Sequence, residues 1–208
     1  MKILLIGAEG RMGRAVTALA EGHDLIKIGK IDITPFLPEC DIVLDFSTPL
    51  AVEINLPKVV FAKKPMVIGV TALSKKCLLD IHEASRAIPI FLSSNFSPGI
   101  ALLKQLLKHL PEGSYEITET HHIHKKDAPS GTALDLATKL PTPPKITSHR
   151  EGSVIGQHKI QLTLPFEKLE LHHEVLDRNV FAQGSLAACS FLFNKPPALY
   201  TSIYDESR

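Results

Sequence analysis

The sequence has no surplus of charge. Its 23 Lys and Arg stand against 22 Asp and Glu, a formal net charge of +1 over 208 residues. General nucleic-acid and membrane-surface binders carry a basic excess, so neither class is expected, and any basic patch must be judged where it stands. Cysteine is scarce. Cys40, Cys77 and Cys189 are odd in number, widely spaced and outside any CxxC pair. That argues against a disulfide frame or a zinc site and suits buried thiols in a reducing compartment. No apolar run approaches the roughly 18 residues of a membrane span. Only four apolar residues separate Lys2 from Gly7, too few for a secretory leader. A soluble, cytoplasmic protein is expected. Internal repeats, low-complexity tracts and long polar linkers are also missing. The clearest punctuation is Pro-rich Leu140 to Lys145, read as a surface loop.

The chain does have enough apolar residue, 44% of the total, to bury a core as one domain or two small ones. It opens with Ile3-Leu4-Leu5-Ile6, an unbroken run that suits a strand buried on both faces, as in a parallel sheet. Gly7-Ala8-Glu9-Gly10-Arg11-Met12-Gly13 follows. Met12, Val16 and Leu19 then fall on one face of a helix that Gly22 stops, and Leu25 to Ile28 reads as a second strand. Strand, glycine turn, helix and strand in about 30 residues is the setting of a dinucleotide site. Glycines let the backbone close on a pyrophosphate, and the helix N-terminus offers free N–H groups. The spacing is G-x-x-G-x-x-G, with Glu9 where the usual second glycine would stand, so an ordinary βα turn is the competing reading.

At the end of the second strand, about 20 residues beyond the turn, Lys30 and Asp32 are candidates to read the cofactor's 2′ position. A carboxylate there favours NAD and a lysine favours NADP. Arg11 and Arg14 are further candidates for a phosphate. Each is also readable as a solvated surface charge. Three more strands end in small or polar residues, at Asp45 to Thr48, at Gly69-Val70-Thr71 and at Ser93-Ser94-Asn95-Phe96. In an open parallel sheet such ends line the cofactor crevice.

The second half changes character. Ser97-Pro98-Gly99 reads as a helix start, and Ile100, Leu103, Leu106, Leu107 and Leu110 form an apolar stripe before Pro111. "YEITETHHIH" alternates as a strand, which places His122 and His124 on one face and His121 on the other. The segments around Ile160 to Leu164 and Leu169 to Val175 read as an antiparallel pair joined near Pro165. Phe181 to Phe193 reads as a helix. The expected architecture is α/β. A Rossmann-like dinucleotide-binding domain covers 1–96 with a C-terminal segment of about 180–208. An α+β substrate and oligomerisation domain, with a mixed or antiparallel sheet, covers 97–179.

"HHIHKKDAPSGTA", His121 to Ala133, concentrates the titratable character. The three histidines lack nearby cysteines or paired carboxylates, so no metal is expected. Ser130 follows Pro129 in no nucleophile-elbow pattern. Histidine holds a proton near neutrality, and Lys125 beside it would lower the pKa of either group. With a helix beginning at Ser130-Gly131-Thr132, two cationic side chains would suit a ligand with two carboxylates. A basic surface loop with an ordinary helix cap fits the same residues, and the pattern alone leaves both open.

"ETHHIHKKDAPSGTA" closely resembles the "E-x-HH-x-HK-x-DAPSGTA" pattern of the 4-hydroxy-tetrahydrodipicolinate reductase family, of the diaminopimelate and lysine pathway. "GAEGRMGR", "VLDFSTP", "MVIGVT", "SSNFSPGI", "SHREG", "GQH" and "HHEVLDRNVFAQGS" extend the likeness along nearly the whole chain, in the family's order. The resemblance implies NAD(P)H-dependent reduction of a cyclic imine dicarboxylate. It implies His121 as the acid that protonates carbon and Lys125 as a second proton donor and substrate contact. His122, Gly131 and Thr132 would bind a substrate carboxylate. Gly7 to Met12, Gly69 to Thr71 and Ser93 to Phe96 would hold the cofactor. A homotetramer built on the second domain's sheet and hinge closure between the domains are implied as well.

The chain departs from the family's pattern in places. Only Ile33 to Cys40 separates the second strand from the "DF" strand, so a strand or helix is expected to be missing. The usual "GTTG" is Gly69-Val70-Thr71-Ala72, and the C-terminal tail is short. Lys30 stands where family members often carry a glutamate, which tilts the expected cofactor toward NADPH over NADH. Another Rossmann dehydrogenase, and a non-catalytic nucleotide sensor, are the alternatives; the retained His121 and Lys125 argue against the sensor.

Overall fold

The computed structural model describes residues 1–204, so the last four residues of the expected C-terminal segment lie outside the described residues. Two compact units emerge: Met1–Phe96 with the segment from Phe181 onward, and Ser97–Val180.

The first unit begins β1 (Lys2–Ile6), α1 (Arg11–Leu19), β2 (Asp24–Ile28), a 3-10 helix (Thr34–Glu39), β3 (Ile42–Asp45), α2 (Pro49–Phe61), β4 (Met66–Ile68), α3 (Lys75–Ala84) and β5 (Ile90–Leu92). The abbreviated stretch after β2 is therefore crossed by a 3-10 helix alone, its Leu37 buried.

From Ser97 the second unit adds α4 (Pro98–Leu107), β6 (Ser114–His121), α5 (Gly131–Ala137), β7 (Lys145–Arg150), β8 (Gln157–Thr163) and β9 (Lys168–Glu174). Its sheet runs β7-β6-β8-β9. β8 lies antiparallel to β6 and β9, while β7 lies parallel to β6, so the sheet is mixed. Ser97 caps α4, its hydroxyl accepting the Ile100 N–H at 3.3 Å. Ile100, Leu103 and Leu107 of the apolar stripe pack on Tyr115, Ile117, Ile160 and Leu162, with Ala133 and Leu136 of α5. Leu106 is exposed. The alternation of β6, buried at Tyr115, Ile117, Glu119 and His121, carries the covered face of the sheet straight into two polar residues.

α6 (Asn179–Leu192) and β10 (Leu199–Tyr200) return to the first unit. Its sheet is β10-β5-β4-β3-β1-β2, every pair parallel. The unbroken apolar runs are explained by burial on both faces. Leu4, Ile6, Val43, Met66, Ile68 and Ile90 face α2 and α3 through Val52, Leu56, Val59, Cys77 and Ile81. Ile3, Leu5, Ile42, Leu44, Val67 and Phe91 face α1 and α6 through Val16, Ala182, Leu186, Cys189 and Leu192. Each such side chain contributes about 1.5–3 kcal/mol by leaving water. The three cysteines are free and buried in this unit, and burial raises the thiol pKa of each.

α6 comes close to the end of β5. A Cβ built on Gly184 would stand 1.7 Å from the Phe96 carbonyl oxygen, and backbone cannot yield as a side chain can. Gly184→Ala is expected to destabilise the first unit by about 2 kcal/mol or more, read as a lowered urea midpoint of its far-ultraviolet transition.

Candidate active site

In the first unit the glycine turn is closed by its own backbone. Gly7 lies at φ +81°, a conformation other L-residues adopt at a cost. A Cβ there would stand 2.7 Å from the Phe46 carbonyl oxygen, and one on Gly13 would stand 2.3 Å from that of Gly7. Gly10 donates its N–H to the Gly7 carbonyl at 3.0 Å. It is also the N-cap of α1, with no side-chain cap and no acidic residue in the first turn. The N-terminal N–H groups of a nine-residue helix are thereby left without a side-chain acceptor, at the positive end of its dipole. A pyrophosphate fits such a cradle.

The other strand ends meet at Phe46. A Cβ on Gly69 would lie 2.1 Å from the Phe46 ring, and the Phe96 ring packs edge-on at 5.6 Å. Gly69 is held by its N–H donating to the Asp45 carbonyl at 2.9 Å, and Ser93 by donating to that of Ile68 at 3.2 Å. Ser93 Oγ donates to the Asn95 carbonyl at 2.7 Å and accepts the Asn95 N–H at 3.2 Å. Val70 is buried, while Thr71 and Ser94 face solvent. Asp45 is fully buried. Burial pushes its carboxyl up to about 6, against the opposing bonds from the Ser47 hydroxyl and N–H.

Beside the turn, a cleft of about 490 Å³ is lined by Ala8, Glu9, Arg14, Thr17, Lys27 and Gly29. Arg14 Nη1 donates to the Glu9 carbonyl at 2.5 Å. The Glu9 carboxylate comes within 3.4 Å of where a Gly29 Cβ would stand. Arg11 and Lys30 are exposed, Met12 is half-buried, and Lys30 follows Gly29 directly. Asp32 is taken up by Lys58 at 2.8 Å.

In the second unit, β6 ends at His121, so His122 stands beyond the strand and His124 lies in a turn. The extension of the strand through His124 is thus corrected: Lys125 N–H donates to the His122 carbonyl at 3.0 Å, a turn that alternation could not signal. Lys125 Nζ bonds Asp127 Oδ1 and Oδ2 at 2.8 and 2.9 Å. Asp127 Oδ2 also accepts the Gly131 N–H at 3.4 Å. Ser130 caps α5, accepting the Ala133 N–H at 3.2 Å, and Thr132 lies half-buried in its first turn. His121, His122, Lys125, Gly131 and Thr132 therefore gather around the end of β6 and the turn that follows it.

Below them sits a carboxylate that the motif does not mark as buried. Glu119 is 0% exposed. Arg150, at the end of β7, donates Nη1 to its Oε2 at 3.1 Å and Nη2 to its Oε1 at 3.0 Å. Ser130 N–H donates to Oε1 at 3.1 Å, and His121 Nδ1 bonds Oε2. Burial alone would raise this carboxyl, but Arg150, Ser148 and His121 outweigh it and hold it at about 2. Arg150 also donates to the carbonyls of Lys125 and Asp127 at 3.2 and 2.5 Å, tying the turn to the strand. His121 is pushed below its ordinary value chiefly by burial, with Lys125 and Arg150 adding and Glu119 opposing. His158, from β8, packs edge-on to it at 5.2 Å, and burial drives its pKa down to about 3.

Sequence reasoning gave no role to Glu119, Arg150, His158 and Asp127, and placed Phe46 only within a strand end expected to line the crevice. All five lie in motifs quoted above, but nothing in the motifs shows what any of them touches. His158 reads as one more polar residue on an alternating strand. Among the described residues no group of three His, Cys, Asp or Glu side chains could hold a metal ion.

Residues 1–96 match the family described as "Dihydrodipicolinate reductase, N-terminus", and residues 99–204 the one described as "Dihydrodipicolinate reductase, C-terminus". The chain is 36% identical over 226 residues to the 4-hydroxy-tetrahydrodipicolinate reductase of Xanthomonas campestris pv. campestris, covering 96% of this chain and 95% of that one. It is 34% identical to the enzyme of that name from Clostridium tetani, covering 96% and 94%. Among solved structures, a dipicolinate-bound dihydrodipicolinate reductase from Paenisporosarcina sp. TG-14 shares the fold at TM-score 0.82, 18% identity and 98% coverage of both chains. The DAP dehydrogenase of C. glutamicum is similar at TM-score 0.62 and 10% identity, covering 98% and 93%.

An unfolded histidine takes up a proton near pH 6.5, which folded His158 refuses until about pH 3. Unfolding gains a proton in that window, so stability is full above pH 6.5 and falls as pH drops through it. His158→Met should flatten that fall between pH 7.5 and 5.5, read from urea midpoints. Asp45, with its raised pKa, acts in the opposite sense and cancels in the difference between variant and wild type.

Proposed function

The chain belongs to the dihydrodipicolinate reductase family of oxidoreductases, and from that premise we propose how its residues carry out the reaction. The reaction is the NAD(P)H-dependent reduction of 4-hydroxy-tetrahydrodipicolinate to tetrahydrodipicolinate, in diaminopimelate and lysine biosynthesis. The observation that carries the assignment is the pairing of two carboxylates at one strand end: buried, ionised Glu119 holds His121 and the Ser130 N–H, and Asp127 holds Lys125 and the Gly131 N–H.

The substrate's 4-hydroxyl leaves with a neighbouring ring hydrogen as water, giving a conjugated cyclic imine, to one ring carbon of which the nicotinamide cofactor, when bound, would supply a hydride. Electron density then rises at the neighbouring carbon and must be met by a proton. His121 is the acid that delivers it. Lys125 is the second proton donor and, with His122 and the backbone of Gly131 and Thr132, binds a substrate carboxylate. Asp127 must release Lys125 and the Gly131 N–H for that purpose. A cationic pocket holds a twice-negative ring in the orientation that transfer requires.

The dinucleotide lies on Gly7, Ala8, Glu9, Gly10, Arg11 and Met12, with Gly69 to Thr71 and Ser93 to Phe96 at the neighbouring strand ends. Lys30, with Lys27 and Arg14 in the adjoining cleft, supports NADPH over NADH, because a 2′-phosphate needs cations and a bare ribose needs a carboxylate. The enzyme acts in the cytoplasm. It assembles as a homotetramer through the sheet face of the second unit opposite α4 and α5, where Glu116, Thr118, Lys159 and Gln161 lie. A fourfold mass in sedimentation would support that assembly.

His121→Gln and Lys125→Ala should each lower substrate-dependent NADPH oxidation by about 10²-fold or more. Lys125→Ala should also weaken pyridine-2,6-dicarboxylate. Unchanged turnover in either variant would defeat the assignment. Paired titrations should show Lys30→Glu losing affinity for NADPH while keeping or gaining it for NADH.

A further inference from the structure

Glu119 has every acceptor position occupied, yet it lies on the covered face of the sheet, where a hydrophobic residue would pack at less cost. Its partners converge from three elements. Arg150 reaches it from β7 through two nitrogens, Ser130 N–H from the start of α5, and His121 Nδ1 from two residues along its own strand. The other ring nitrogen of His121, Nε2, stands beside Gly156, 3.1 Å from where a Cβ would be. The ring is therefore gripped on one side and faced on the other by a residue with no side chain.

We propose that Glu119 is a positioning residue for the proton donor: it fixes the hydrogen on His121 Nδ1, and so makes Nε2 the nitrogen that carries the transferable proton. The inference rests on the reading of His121 as the acid. An ionised carboxylate accepts hydrogen bonds and cannot donate them. With Glu119 clamped in the ionised form by Arg150, Nδ1 keeps its hydrogen whether the ring is neutral or cationic. Only Nε2 gains and loses a proton, and Gly156, having no side chain, sets no Cβ against it. The same contact tunes the acid's strength. Four charged or titratable groups face His121: Glu119 on its own strand, Lys125 in the turn beyond, Arg150 on β7 and His158 on β8. Glu119 is the only anion among them. Without it, burial and the two cations act unopposed, and the imidazolium would deprotonate at lower pH.

The test is the pH profile of kcat in Glu119→Gln. An acid that must be protonated loses activity as pH rises through its pKa. The alkaline limb should therefore move to lower pH by about one unit or more, with kcat near neutrality down about 10-fold or more. The dissociation constant for pyridine-2,6-dicarboxylate should change less than kcat does, since Glu119 reaches the binding residues only through the Ser130 N–H and Arg150. Glu119→Asp, which restores the charge, should return the limb toward wild type even if it folds less stably. Because Arg150 loses its partner in the amide variant, a second measurement stands apart from it. 15N spectra of the wild-type protein should show neutral His121 with its hydrogen on Nδ1.

A hydrogen found on Nε2 of the neutral ring would overturn the proposal. So would a limb that stays in place while kcat falls uniformly. If wild type fails to bind the dicarboxylate, or His121→Gln keeps its turnover, the reading of the site itself is at fault, a result distinct from either of these.

Discussion

One buried ion pair organises the second unit. Glu119 and Arg150 meet through two hydrogen bonds on the covered face of a sheet. Removing Arg150 alone would leave the Glu119 charge in a place that has no water. Because the pair is complete, its remaining bonds are free to fix other things: the start of α5, the turn at Lys125 to Asp127, and the His121 ring. The charge is costly to bury, and what it secures is a geometry rather than net stability. Leu or Ile at 119 would serve packing as well and would orient nothing.

The first unit reaches order by the opposite route. Its turn and strand ends are set by small residues and one aromatic ring. Gly7, Gly69 and Gly13 let backbone and the Phe46 ring approach at distances no side chain would allow. The cradle proposed for the cofactor offers backbone N–H groups, and the side chains around it lie at the margin, in the cleft beside Gly29. Phosphate recognition by backbone depends on close approach, whereas proton donation depends on a side chain held at one angle. The two units answer these demands with glycine and with buried charge respectively.

Much of the fold was legible in the residues. Ile3 to Ile6 announced a strand buried on both faces because nothing polar interrupts it, and Ser97-Pro98 announced α4 because cap and first-turn proline are local chemistry. The mixed character of the second sheet was open to either reading, since β7 alternates only weakly and follows a Pro-rich loop. β10, two residues long, gives no periodicity to detect. The site was legible as a list of residues but not as a construction. His121 and Lys125 stand out in the motif, whereas the pairing of Glu119 with Arg150 is a contact across strands, separated by 31 positions, and no local pattern encodes it. The expectation that His122 and His124 share a strand face failed because a turn begins one residue after His121.

The cysteines carry a last consequence. All three lie in the first unit, buried and with thiols harder to ionise than usual. A folded molecule therefore presents little thiolate to an alkylating reagent, and labelling must wait for that half of the chain to open. The second unit has no sulfhydryl, so its excursions are silent to the same reagent. The protein is thus equipped with a one-sided clock, which ticks for the nucleotide-type half and ignores its neighbour.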